Sequence, residues 1–154
     1  MRERFCCLIV AMVAALSMLS LGWAQETATF VGSKACANCH AEQYGNFRTH
    51  SAKAKSDHGV RLMLPKLTEE EQRQCYECHT TGYGQPGGFI SFEKTPDLGH
   101  VGCESCHGPG SKHVWTGDPA DLAGRVSLET CRPCHDDPRV QRINFRPLLH
   151  AGAH

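Results

Sequence analysis

Hydrophobic and polar positions divide the chain into two unequal parts. Met1-Arg2-Glu3-Arg4 forms a charged start, and an apolar run of 18 residues follows from Phe5 to Gly22. With the small residues Gly22 and Ala24 flanking Trp23, this pattern predicts an export signal over residues 1–24, cleaved just ahead of Gln25. The alternative reading is an uncleaved anchor, because the run is barely long enough to span a bilayer. Cys6 and Cys7 lie too early for a lipid-modified amino terminus, and no function is assigned to them. From Gln25 onward the apolar residues come in short groups, none approaching spanning length. Thr68-Glu69-Glu70-Glu71, behind Pro65, reads as a capping box that opens a helix running into Cys75 and Cys78. Ser127 with Glu129 predicts a similar start for a helix around Cys131. GYGQPGG at Gly82–Gly88 and GPG at Gly108–Gly110 predict turns.

Composition changes this picture in one respect. The chain has 154 residues, with 16 basic and 16 acidic side chains but also 10 Cys and 10 His. Its length predicts one domain, residues 25–154 after the signal. Near-neutral charge without a Lys/Arg cluster argues against nucleic acid as a partner. No phosphate-binding loop and no spacing that favours a catalytic triad is present.

Eight of the cysteines fall into four pairs, and each pair is followed at once by histidine. The units are Cys36-Ala-Asn-Cys39-His40, Cys75-Tyr-Glu-Cys78-His79, Cys103-Glu-Ser-Cys106-His107 and Cys131-Arg-Pro-Cys134-His135. This is the attachment pattern of a c-type haem, used four times. Two thiols separated by two residues on a helical turn reach the vinyl groups along one porphyrin edge. The next side chain then presents its imidazole to the iron. Disulfides and four-thiolate zinc sites are the competing readings for paired cysteines in an exported chain, but neither explains the four histidines.

The haem count also predicts the fold. The 130 residues after the signal supply about 32 per haem, below the roughly 40 at which a chain usually needs disulfides, metals or partners to fold. The expectation is a mainly α, small multihaem protein: short helices carry the motifs, long loops join them, there is little or no sheet, and four haems form the core. Without them the polypeptide is expected to be largely unfolded. The glycine turns are read as backbone folding tightly around haem edges.

Axial ligands decide what each iron does. Methionine occurs at positions 1, 12, 18 and 63, so only Met63 follows the signal and at most one haem takes a His/Met pair. Low potentials are the expected consequence. Six histidines lie outside the motifs: His50, His58, His100, His113, His150 and His154. His50, just after the first motif, is a stronger candidate than the terminal His154.

The decapeptide Val101–Gly110 (VGCESCHGPG), the turn Thr80–Phe89 (TTGYGQPGGF) and FVGSKACANCH with a following HSAKA resemble the tetrahaem cytochrome c-554 family over about residues 30–135. The chain differs in carrying Phe47 where the family often has Trp and in ending soon after the fourth motif. The resemblance implies a mainly helical fold with closely packed haem pairs and three bis-His irons. By matching positions it implies His113 opposite His40, His50 opposite His107, and His150 opposite His135. It also implies a second iron, held by His79, without a strong sixth ligand; His58 and His100 are the histidines left over that would close it.

The leading reading is therefore a periplasmic, low-potential electron carrier with four haem c groups. Its partners are redox proteins in the periplasm or at the membrane, with membrane association only through a partner complex. A reductase of a small nitrogen or oxygen compound at an open second haem is the alternative, and a haem-bearing subunit of a membrane respiratory complex is a third. Tyr76, Tyr83 and Gln85 lie near the second motif and are read as packing and turn residues.

Overall fold

The computed structural model describes residues 27–123 and 125–138. The signal segment, His150 and His154 lie outside the described residues. Among the described residues seven α-helices follow in order: α1 (Ser33–Cys36), α2 (Ala41–His50), α3 (Asp57–Met63), α4 (Glu69–His79), α5 (Glu104–His107), α6 (Ser111–Thr116) and α7 (Leu128–His135). Short 3-10 turns join several of them, and the described residues contain no strand. None of their helices is long and apolar enough to cross a membrane.

The longest helix, α4, starts where its sequence says it should. The Glu71 amide donates to Thr68 Oγ1 at 3.3 Å, and the Thr68 amide donates to Glu71 Oε2 at 2.8 Å, so two donors at the helix start are satisfied reciprocally. These bonds hold the Glu71 carboxyl below its ordinary range. At α7 the expected cap is present with a different partner. The Ser127 amide donates to Thr130 Oγ1 at 3.4 Å, because Thr130 occupies the third helical position, while Glu129 pairs with Arg132 at 3.5 Å.

A small aromatic cluster holds α3 and α4 to the loop between α4 and α5. Val60, Phe89, Phe92 and Leu98 are buried, with Phe30, Leu64, Cys75, Tyr76 and Tyr83 packed around them. Tyr76 meets Tyr83, Phe89 and Phe92 edge-on at centroid distances of 5.5, 5.1 and 5.8 Å, and the Arg61 guanidinium lies 3.8 Å from the Phe92 ring centre. Tyr76 and Tyr83 are thus packing residues, and Gln85 is exposed in the turn. The glycine turn wraps this cluster. Gly82 has φ +69, and a Cβ there would come within 2.6 Å of the Phe30 ring. Among the protein's own described residues the close neighbours of the turn are Phe30 at Gly82 and Thr29 at Gly87, while Gly84 has nothing within 4 Å.

Only six hydrophobic side chains are buried among the described residues: Phe47, Ala54, Val60, Phe89, Phe92 and Leu98. That apolar interior is small for a chain of this length, which matches a fold organised around large prosthetic groups.

Polar latches do the rest of the joining. Thr81, the most buried residue, donates from Oγ1 to the His100 carbonyl at 2.6 Å and accepts the Gly102 amide at 2.9 Å. Ser33 Oγ accepts the Cys103 amide at 3.0 Å, tying α1 to the start of α5.

Candidate functional site

Each of the four Cys-x-x-Cys-His units lies on or beside a helical turn. In the second and fourth, both cysteines and the histidine belong to α4 and α7. In the first and third, the histidine amide closes a helical turn onto the first cysteine: His40 to the Cys36 carbonyl at 2.9 Å, and His107 to the Cys103 carbonyl at 3.0 Å. None of the eight motif cysteines is paired in a disulfide.

The units are brought together in a definite order. The Cys36 and Cys103 side chains lie close enough to act on one another's ionisation, joining the first unit to the third. Cys134 lies close enough to feel the charge of Cys78, joining the fourth unit to the second, where α4 contacts α7. Cys106 lies within electrostatic reach of Cys131, joining the third to the fourth. Before haem is attached the two thiols would differ: Cys103 and burial push Cys36 well up, whereas Cys36 holds Cys103 down at about 6. Burial raises Cys106, and burial followed by the Cys78 charge raises Cys134 to about 12. Among the described residues no three His, Cys, Asp or Glu side chains form a cluster that could hold a metal ion by themselves.

The histidines are oriented for ligation. His79 Nδ1 lies 2.9 Å from the Ser56 carbonyl, and His113 Nδ1 lies 2.9 Å from the Asp118 carbonyl. A carbonyl only accepts, so each Nδ1 is the donor and Nε2 is the ring nitrogen left to face a metal. Ser56 Oγ also donates to the His79 carbonyl at 3.0 Å and accepts the Val101 amide at 2.9 Å. The His40 and His113 ring centres are 6.2 Å apart with planes 21° from parallel. An imidazole nitrogen sits about 2 Å from a metal it binds, which places the centres of two rings ligating from opposite sides about 6 Å apart. The residues present therefore fit a haem iron at the first unit.

The other sequence candidates are placed less tightly. His50 is exposed as the last residue of α2, and Met63 is half-exposed at the end of α3. Burial first, then Lys53, lowers the His135 pKa and favours the neutral ring that binds metal. His58 and His100 meet at one cavity of about 460 Å³, lined also by Arg48, Lys55, Asp57 and Arg61 and by none of the motif cysteines or histidines. His100 Nε2 is buried there without a hydrogen-bond partner. Its pKa is lowered by burial and then by Arg48. Ser33, Ser56, Thr81 and Glu104, which latch the units together, have no individual signature in the sequence; the only hint is an acidic residue inside the Gly- and Cys-rich decapeptide.

The family model described as cytochrome c554 and c-prime matches residues 35–108. Cytochrome c-554 of Nitrosomonas europaea is 34% identical over an alignment of 165 positions, which takes in 88% of this chain and 69% of the relative. The chain belongs to the cytochrome c554 family. Its fold agrees: the solved structure of the reduced state of cytochrome c554 from Nitrosomonas europaea superposes with a TM-score of 0.62 at 25% identity, over 83% of this chain and 86% of that one. As a cytochrome c554 family member it is a mainly helical c-type cytochrome with four haem c groups.

Proposed function

We propose that this cytochrome passes electrons in the periplasm along four haems attached in the spatial order first, third, fourth, second. The observation that carries this reading is the series of thiol contacts, Cys36 with Cys103, Cys106 beside Cys131, and Cys134 with Cys78. Attachment points so close leave no room for haems isolated from one another. Bound haem iron supplies the one-electron ferric–ferrous couple.

The chain holds, orients and tunes. Cys36/Cys39, Cys75/Cys78, Cys103/Cys106 and Cys131/Cys134 attach the haems, and His40, His79, His107 and His135 ligate from the proximal side. His113 stands opposite His40, supported by the ring separation of 6.2 Å and the Nδ1 bond to Asp118. His50 opposite His107 and His150 opposite His135 follow from matching positions in the family. Two histidines on an iron, with no methionine, hold its potential low. Residues 1–24 direct export. Donor and acceptor are redox proteins that dock transiently, their encounter guided by charge.

Visible spectra of the matured protein, oxidised and reduced, with and without carbon monoxide, test this. The expected result is four reversibly reduced haems with at most about one quarter of the signal answering carbon monoxide, as a single open iron in four requires. A response from more than that share overturns the distal assignments. If the second iron alone responds, small nitrogen and oxygen compounds become the substrates to try.

A further inference from the structure

Glu104 is the one charged side chain buried among the described residues, at 4% exposure. It is the residue after Cys103 in the third unit and has no part in attachment. Its carboxylate accepts the backbone amides of Val31 at 3.0 and 3.2 Å, Gly32 at 2.7 Å and Gly110 at 2.7 Å. An ionised carboxylate only accepts, so it suits a cage made wholly of donors. Among the described residues no Lys, Arg or His forms an ion pair with it.

The three amides come from different places. Val31 and Gly32 lead into α1 and the first unit, while Gly110 precedes α6, the helix that brings His113 to His40. Space is tight as well: a Cβ on Gly110 would sit 3.1 Å from Glu104 Oε1. The negative charge therefore lies where the first and third units meet. The Glu104 charge acts at both Cys36 and Cys103.

We propose that Glu104 is a positioning residue that keeps the first and third haem units in register and, as a fixed buried charge, lowers the reduction potentials of those two haems. A buried anion favours the ferric state of each iron, which carries one more positive charge than the ferrous state. The electron gained or lost is exchanged with the redox partners of the proposed function, on which this inference rests.

Potentiometric titration of the matured four-haem protein, with E104Q and E104D beside it, is the test. In E104Q, two of the four midpoint potentials shift upward and the other two stay. In E104D, which keeps the charge on a shorter arm, all four remain near the parent values while the melting temperature falls. Unmoved potentials in a four-haem E104Q protein overturn the electrostatic role, and so does an upward shift of the same two haems in E104D. Should E104Q not mature, an upward shift of the same two haems in E104D still overturns the electrostatic role, and an unchanged melting temperature in E104D overturns the positioning role. A parent protein with fewer than four haems defeats the attachment assignment instead, so the two failures are distinguishable.

Discussion

On the proposed assignment His113 closes the first iron; its Nδ1 lies against the Asp118 carbonyl and its ring centre is 6.2 Å from that of His40. His113→Ala is expected to leave four haems attached and to open one of them, so that about a quarter of the reduced spectrum newly responds to carbon monoxide. An unchanged response excludes His113 as ligand. His100 makes a separate prediction. Burial disfavours its charged form, so in the folded protein it stays neutral at a pH where the unfolded chain, at the ordinary value of 6.5, takes up a proton. Stability is therefore full above about pH 6.5 and declines as the pH falls towards the lower folded value. Melting temperatures between pH 8 and pH 5 measure this drop, and His100→Phe should flatten it. The motif residues were legible because haem attachment is local chemistry, completed within five consecutive residues. Glu104 was not: its amide partners Val31 and Gly32 lie 73 and 72 residues away in the chain, and nothing in an isolated Glu announces a cage of donors.

At the scale of elements, α4 depends on its cap. Thr68→Ala removes the acceptor for the Glu71 amide and should cost about 1 kcal/mol, read as a lower melting temperature with the haem count intact. Phe89, 3% exposed and in edge contact with Tyr76 and Phe92, is the larger anchor. Phe89→Ala should cost about 3 kcal/mol or more in denaturant unfolding of the holoprotein. Helix starts were legible from Thr68 and Ser127 because caps are made within one turn. The Gly82–Gly88 turn was legible as a turn but not in its surroundings, since what a glycine approaches is set by a distant segment, here Thr29 and Phe30.

At the scale of the whole molecule, the polypeptide supplies one modest aromatic cluster and a set of polar latches. The attachment units sit at the junctions: first to third through Ser33, Glu104 and the Cys36–Cys103 contact, second to fourth through α4, α7 and the Cys78–Cys134 contact. Haem number followed from the four Cys-x-x-Cys-His motifs, and fold class from the roughly 32 residues left per haem, too few for a large apolar core of their own. The order of the units did not, because chain order runs first to fourth while the contacts run first, third, fourth, second. The measurement that bears most directly on the account is the mass of the full chain matured in a host with c-type haem assembly, taken intact and after proteolysis. Four covalently bound haems, one on each Cys-x-x-Cys-His peptide, is the predicted result. Any other number, or a motif peptide without haem, contradicts it.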